Sequence, residues 1–218
     1  QLAEDVFAQT PAIHQGLKKA LAGESSKLIA EVGRQHFKIW STPFFDDRGE
    51  RSGATAVAEN AIGGPFELID ETGKTVTDAD IITEPTLIYF GYTFCPDVCP
   101  LDTARNAEAI DLLDAKGFDV TPVFISIDPA RDTPAALADF VEVLHPRMIG
   151  LTGSQEEVKA ASQAYKTYYK KNGEGEDYLM DHSTFTYLMG PDGLWEFFRR
   201  DVPAAEMAET VACFINQS

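Results

Sequence analysis

TLIYFG, residues 86–91, is an unbroken apolar and β-rich run that follows Pro85 and stops at a glycine. A second run of this kind, Val120–Ile127, stops at Asp128. Runs without polar alternation are typical of strands that are buried on both faces of a sheet. Between the two runs, apolar residues recur at helical spacing until Gly117, which predicts a helix. The order strand, helix, strand indicates a βαβ unit with parallel strands.

The rest of the C-terminal part extends this unit into an α/β domain. The predicted elements are a helix over 134–144, a strand over 148–151, a helix from 154 to 165 that begins with a capping box, a hairpin of strands 184–189 and 195–198, and a helix over 203–215. This order predicts a thioredoxin-like mixed sheet that is flanked by helices on both faces and carries an inserted β-hairpin. Residues 166–180 show no clear periodicity, and we expect a long mobile loop there.

Residues 1–60 show a different pattern. Apolar residues alternate with period two in three short stretches, and Asp46-Asp47-Arg48-Gly49 is a turn signal. We therefore predict a small antiparallel β appendage over 1–60, followed by the thioredoxin-like domain over 61–218. Residues 20–60 loosely resemble the distal half of a PAS domain. A half-domain lacks one wall of a cofactor pocket, so we expect a spacer or a self-association element that can support a homo-oligomer.

Composition excludes several classes of protein. The 218 residues carry 18 Lys+Arg and 35 Asp+Glu, a net charge of −17, and no basic stripe interrupts this surplus. Because binding to a phosphate backbone requires such a stripe, nucleic acid is not an expected partner. No apolar run reaches the roughly 18 to 20 residues of a membrane helix. Three cysteines are too few for a fold that depends on disulfides.

The main chemical signal is a Cys-x3-Cys pair, Cys95 and Cys99, directly after the first buried strand. If Cys99 lies in the first turn of the following helix, the two thiols are close enough to chelate one metal ion or to form a disulfide. A helix N-terminus favours the thiolate that both chemistries need. Because α/β folds place ligand sites at such strand ends, we favour a dedicated site over two buried apolar residues. The spacing alone does not separate metal binding from redox chemistry.

A trigonal or tetrahedral metal site needs a third donor, typically an imidazole. Of the four histidines, His14 and His36 lie in the appendage, and His145 precedes a proline at a helix end, where we expect a terminal or surface residue. His182 follows the 166–180 segment and directly precedes a predicted strand. A histidine on a mobile loop could close on the cysteine pair, although a lone histidine more commonly has a structural role.

Four ordered blocks resemble the Sco/SenC family of copper-binding assembly proteins for cytochrome oxidase, over about residues 61–218. They are GPF (64–66) with DETG (70–73), YFGYTFCPDVCP (89–100), SIDPARDTP (126–134) and DHS (181–183). The resemblance implies a thioredoxin-like fold that binds Cu(I) or Cu(II) through Cys95, Cys99 and His182. It does not account for residues 1–60.

The resemblance also implies a function and a location. It implies a metallochaperone, rather than an enzyme, that delivers copper to the CuA centre in subunit II of cytochrome c oxidase. Other copper chaperones or thiol reductants are then further partners. Family members are usually tethered by an N-terminal membrane helix, which this chain lacks, so we expect a bacterial periplasmic protein at the inner membrane.

Two alternative activities remain open. A thiol–disulfide oxidoreductase that reduces the CuA cysteines or another partner would use Cys95 and Cys99 as its redox pair and would not need His182. A peroxidase of the peroxiredoxin type is a weaker alternative. Peroxiredoxins place a threonine three residues before the reactive cysteine, whereas Thr93 lies two residues before Cys95.

Charged residues beside these motifs have two interpretations each. Asp97 and Asp181 either support the metal ligands or are solvated on the surface. For Asp128, Arg131 and Asp132 we favour a turn and a helix N-cap over a functional charge cluster.

Two further expectations concern residues outside the motifs. Cys213 lies in the apolar stripe of the last helix, and we expect it in the core. Three lysines on the 166–180 segment are a local exception in an acidic domain, and we expect them to contribute to docking of an oxidase subunit: Lys166, Lys170 and Lys171.

Overall fold

The first compact unit of the protein ends at Ile62, and the second begins at Gly63. The structure, a computed structural model, describes residues 11–32, 35–45, 49, 51–60 and 62–217. The first unit contains helix α1 (Pro11–Leu21) and strands β1 (Ser26–Val32), β2 (Gln35–Phe45) and β3 (Arg51–Asn60). The three strands pair in chain order as an antiparallel meander, as the period-two alternation predicts. Apart from Gly49, the predicted turn at 46–49 lies outside the described residues, and the likeness to a half PAS domain stays a prediction.

The second unit contains all the motifs that the sequence singles out. Its elements are β4 (Glu67–Asp70), β5 (Thr75–Thr77), α2 (Asp78–Ile81), β6 (Thr86–Gly91), α3 (Val98–Asp114), β7 (Thr121–Ser126), α4 (Pro134–Leu144), β8 (Ile149–Thr152), α5 (Gln155–Ala164), β9 (Tyr169–Asn172), β10 (Leu179–His182), β11 (Thr186–Gly190), β12 (Gly193–Phe198) and α6 (Ala204–Ile215). No helix among the described residues of either unit is long and apolar enough to cross a membrane.

Seven strands form one mixed sheet in the order β12-β11-β6-β7-β8-β4-β5. Strands β6, β7 and β8 run parallel, and β11 runs antiparallel to β6. All six residues of β6 are buried, as its unbroken apolar run predicts. Helix α3 connects β6 to β7, so the predicted βαβ unit is confirmed. The central mixed sheet flanked by helices confirms the predicted thioredoxin-like architecture.

The sheet is covered on both faces. On one face, Leu87 and Leu188 are opposite each other on β6 and β11 and pack against α3 and α6. On the other face, Phe90 and Tyr187 pack against Tyr165, which follows α5. Complete burial of one such apolar side chain stabilises a fold by about 1.5–3 kcal/mol. The packing on both faces therefore stabilises the strands from which the site loops extend.

The residues that the sequence predicts at the starts of two helices make the expected hydrogen bonds. Helix α4 begins at Pro134, and the Thr133 hydroxyl accepts a hydrogen bond from the backbone N–H of Ala136 at 3.3 Å. Ser154 and Glu157 form the predicted reciprocal capping box at the start of α5. These local signals need no tertiary information, which is why they can be read from the sequence.

The prediction of one long loop over 166–180 is wrong where the segment forms strands, at 169–172 and from 179 onward. Strands β9 and β10 pair antiparallel with each other as a two-stranded hairpin. Most of the hairpin's side chains are exposed and polar, so no apolar alternation marks its strands. Gly173 and Gly175 allow the turn between β9 and β10, because both glycines have positive φ, at 109° and 75°.

One further single-residue expectation is wrong, and one holds only in part. Cys213 is exposed rather than in the core, because α6 turns Met207 and Val211 inward and leaves Cys213 on the solvent side. His145 ends α4, as its place before Pro146 suggests, but it is only 6% exposed and not a surface residue.

Candidate metal centre

Three segments of the second unit bring Cys95, Cys99 and His182 together. Cys95 lies in the loop after β6, Cys99 lies in the first turn of α3, and His182 ends β10. One ligand atom from each of the three side chains lies within 4.8 Å of the others. His182 lies 83 positions after Cys99 in the chain, so only the fold of the sheet and hairpin makes the histidine a neighbour of the cysteines.

The two cysteines are arranged around the N-terminus of α3. The preceding Asp97 is exposed and makes no capping hydrogen bond through its side chain. Instead, the backbone N–H of Cys99 donates to the sulfur of Cys95 at 3.3 Å. A sulfur thus occupies the place of a capping oxygen, where free N–H groups and the helix dipole favour negative charge. Cys95 is therefore the cysteine whose sulfur faces the N-terminal N–H groups of α3.

Cys99 has a different environment. Its side chain is completely buried, and this burial raises the pKa of the Cys99 thiol strongly above its usual range. The backbone N–H of Tyr92 and the hydroxyl of Tyr89 lower the pKa, but they do not offset the burial. The metal-free Cys99 is a protonated thiol at neutral pH, and any metal that binds there displaces this proton.

His182 is held in the tautomer that can bind a metal. Its Nδ1 lies 2.8 Å from the carbonyl oxygen of Ser183. Because a carbonyl can only accept, Nδ1 carries the proton and donates it, and the lone pair of Nε2 points into the site. Nε2 lies 3.3 Å from the sulfur of Cys99. Burial lowers the pKa of His182, so the ring is neutral at pH 7.

Aromatic rings and one buried acid surround these ligands. The rings of Tyr89 and Tyr92 stand edge-on to that of His182, at centroid distances of 6.3 and 5.9 Å. The hydroxyl of Tyr89 donates to Asp102 at 3.1 Å, and Asp102 is only 3% exposed. Burial raises the pKa of Asp102. The sequence analysis missed these residues, although Asp102 lies one helical turn after Cys99 and that spacing could have indicated it.

The segment after β7 contains the predicted turn at Asp128, but the N-cap of α4 is Thr133, and Asp132 has a different structural role. The buried carboxylate of Asp132 accepts three hydrogen bonds. They come from the Thr93 backbone N–H at 3.1 Å, the Thr93 hydroxyl at 2.6 Å and the Ser126 hydroxyl at 2.6 Å. It thereby joins the cysteine loop to the end of β7. Asp181 is exposed, and its carboxylate accepts from the Asn172 amide at 3.3 Å rather than facing the ligands.

A second group of possible ligands is formed by Asp111, Asp114 and His145. The Nδ1 of His145 accepts a hydrogen bond from the backbone N–H of Arg147 at 3.1 Å, so Nε2 carries the ring proton. Asp114 forms an ion pair with the guanidinium of Arg147. A metal on Nε2 would force the proton onto Nδ1, against the Arg147 N–H. This group is therefore an ion-pair and hydrogen-bond cluster. His14 and His36 belong to the other unit.

The three lysines near the hairpin do not form a uniform basic patch. Lys171 lies over the ring of Tyr178, 3.8 Å from its centre, and Lys170 is opposite Asp181 in the register of the two strands. Lys166 precedes β9. Carboxylates of the same hairpin and its turn balance these charges: Glu174, Glu176 and Asp177.

The fold and the donor set together define a class of protein. Two sulfurs and an imidazole nitrogen are soft and intermediate donors that suit copper or zinc and not magnesium or calcium. The molecule is thus a thioredoxin-like protein with a candidate soft-metal site after strand β6. The chain belongs to the SCO1/SenC family, whose sequence model matches residues 54–216.

Individual relatives agree with this family. Protein SenC of Rhodobacter capsulatus is 54% identical over 164 residues, 74% of each chain. The mitochondrial Protein SCO1 homolog 1 of Arabidopsis thaliana is 49% identical over 134 residues, and the match covers 61% of this chain but only 40% of that protein. Protein sco1 of Schizosaccharomyces pombe is 36% identical over 203 residues, 90% of this chain and 68% of that protein. This last match is longer than the second unit and so extends into the first.

Solved structures are similar as well. Arabidopsis thaliana ScoI with copper bound is 43% identical, with a TM-score of 0.70 over 72% of this chain and 100% of that one. BsSco is 30% identical, with a TM-score of 0.58 over 70% of this chain and 92% of that one. It is described as a member of the Sco family of cytochrome c oxidase assembly proteins that contains a disulfide switch.

Proposed function

We propose that this protein is a copper chaperone that holds Cu(I) or Cu(II) through Cys95 Sγ, Cys99 Sγ and His182 Nε2. The observation that carries the proposal is the approach of these atoms to within 4.8 Å, with the His182 lone pair directed at Cys99. Two thiolates retain Cu(I), and the neutral imidazole completes a trigonal site that also suits Cu(II). The copper-bound relative ScoI supports the choice of metal.

The recipient that we propose is the CuA centre in subunit II of cytochrome c oxidase. The two cysteines are anchored on the central sheet and α3, whereas His182 lies on a separate two-stranded hairpin. Movement of that hairpin would withdraw one ligand and leave copper on two sulfurs, open to incoming donors. The chain's own contribution to transfer is therefore a fixed pair of ligands and one detachable ligand.

We further propose a periplasmic location with an N-terminal membrane tether, and docking that involves the lysines near the hairpin. Self-association through the first unit is the corresponding proposal for the oligomeric state. Each of these follows from the resemblance and from charge, and mass photometry of the full chain tests the last one.

Copper titration of the reduced protein tests the main proposal. We expect one equivalent of Cu(II) to give a thiolate charge-transfer band in the visible spectrum. His182→Gln should lower the Cu(II) affinity by at least about 100-fold, because even loss of a residue that only supports a ligand costs 10–100-fold. His145→Gln is the matched control, since it changes a buried histidine outside the site. Full affinity in His182→Gln contradicts the three-ligand proposal.

Thiol–disulfide exchange is the second candidate, and the proximity of the two sulfurs favours it. The Cys95 thiolate would attack a partner's disulfide and form a mixed disulfide, with release of one partner thiolate. Cys99 would then lose its proton and displace the second partner thiolate, which oxidises the pair to a Cys95–Cys99 disulfide. This activity should survive in His182→Gln and disappear in Cys95→Ser. Rapid peroxide consumption by the purified protein would instead support the peroxidase alternative.

A further inference from the structure

Arg131 lies where three segments meet beside the candidate centre. Its Nε donates to Asp128 at 2.6 Å, within the segment after β7. Its guanidinium carbon lies 4.6 Å from the ring centre of Phe94, in the cysteine loop. Its Nη1 donates to the carbonyl oxygen of Glu176 at 3.2 Å, in the turn between β9 and β10. One side chain thus contacts the sheet end, the loop that carries Cys95 and the hairpin that carries His182.

Tyr178 is the counterpart of Arg131 on the hairpin. It is the one buried residue within 173–179, a stretch that is otherwise exposed. The guanidinium carbon of Arg131 lies 3.6 Å from the centre of its ring, and its hydroxyl donates to Asp128 at 2.6 Å. Arg131 Nη2 is buried and has no hydrogen-bond partner among the described residues, so aromatic ring faces are its main surroundings. Such a desolvated cation–π contact is stronger than an exposed one.

The hairpin needs contacts of this kind. Within the described residues, β9 and β10 pair only with each other and not with the seven-stranded sheet. A two-stranded hairpin is marginally stable by itself in water, so side-chain contacts with the body of the domain decide its position. Tyr178 precedes β10 and His182 ends it, so the two residues are about 13 Å apart along one strand at 3.3 Å per residue. A shift at Tyr178 is therefore transmitted to His182.

We propose that Arg131 is a positioning residue for the candidate centre. It holds the β9–β10 hairpin against the cysteine loop and so keeps His182 within reach of the two sulfurs. This inference rests on the proposed function and deepens it, because it identifies the contact that must loosen before the third ligand can withdraw. The strength of the contacts of Arg131 with Phe94 and Tyr178 then sets how readily copper is released.

The test measures Cu(II) affinity and the electron paramagnetic resonance spectrum of the full chain. Arg131→Leu should lower the affinity by about 10–100-fold, the usual cost of losing a residue that orients a ligand. The electron paramagnetic resonance spectrum of this variant should lose the nitrogen coupling of His182. Its visible spectrum should keep the thiolate charge-transfer band. In a His182→Gln background, Arg131→Leu should have no further effect on affinity. Arg147→Leu is the matched control, since Arg147 contacts Asp114 and the carbonyl of Val120 at the opposite end of β7.

Two further variants keep the test decisive if Arg131→Leu does not fold. Arg131→Lys retains the charge but loses the planar guanidinium and should show an intermediate loss. Tyr178→Leu removes the same contact from the hairpin side and should match Arg131→Leu. Unchanged affinity and nitrogen coupling in Arg131→Lys and Tyr178→Leu would overturn the inference, as would an undiminished effect of Arg131→Leu in the His182→Gln background. If the unmodified protein binds no copper, or His182→Gln binds it fully, the proposed function fails instead.

Discussion

Replacement of Asp132 by alanine removes the carboxylate that joins the cysteine loop to the end of β7. The variant leaves three donors without their acceptor: the backbone N–H and hydroxyl of Thr93, and the hydroxyl of Ser126. Each buried donor that loses its partner costs about 1 kcal/mol or more, so we expect the free energy of unfolding to fall by about 3 kcal/mol. Burial raises the pKa of Asp132, so the folded state already bears a cost for this buried charge. Removal of the charge recovers that cost, and we therefore expect no loss of stability larger than this value.

Asp132→Asn separates geometry from charge. The asparagine oxygen can accept from the Thr93 N–H and Ser126, and its amide can donate to the Thr93 hydroxyl. We therefore expect a loss of only about 1 kcal/mol for Asn. Urea denaturation of the reduced, metal-free variants measures both values, and Asp114→Ala, which breaks an exposed ion pair, should cost no more than about 1 kcal/mol. Equal losses for Asp132→Ala and Asp132→Asn would refute the reasoning, because the charge and not the hydrogen bonds would then stabilise the loop.

The remaining predictions concern protons, packing and the third cysteine. Because burial raises the pKa of Cys99, copper must displace the proton of this thiol. Cu(I) affinity should therefore rise with pH through the neutral range, and a weakly buffered titration should show proton release. An affinity that is independent of pH between 6 and 8 contradicts this expectation. In Gly91→Ala, the new Cβ would lie 2.9 Å from the Phe124 and Tyr89 rings and 3.1 Å from the Cys99 sulfur. We expect the free energy of unfolding, measured by heat or urea, to fall by about 1–3 kcal/mol, together with weaker copper binding. Unchanged stability would contradict this expectation and would mean that the side chains at the sheet end can move aside without cost. Cys213 is exposed, so iodoacetamide should modify it first in mass spectra, and Cys213→Ser should leave copper affinity unchanged.

The parts of the fold that were predictable from the sequence depend on local or periodic signals. The burial of β6 follows from its unbroken apolar run, and the start of α5 follows from the Ser154–Glu157 capping box. The β9–β10 hairpin has no such signal, because its side chains are mostly exposed and its strands pair only with each other. Cys213 was misassigned for a related reason: helical spacing identifies an apolar stripe but does not show which of its edge positions the sheet covers.

The candidate site divides in the same way. The two thiols were predictable from the sequence, since a Cys-x3-Cys pair at a strand-to-helix junction needs only a few residues of local geometry to converge. The sequence also favoured His182 among the four histidines, by its place after the 166–180 segment and by the resemblance of its DHS block. How His182 reaches the sulfurs, and that Nε2 is its free nitrogen, follow only from the tertiary structure. Three features place the histidine: the pairing of β10 with β9, the Ser183 carbonyl and the contacts of Tyr178. The contacts of Tyr178 join segments far apart in the chain, and no local pattern encodes such contacts.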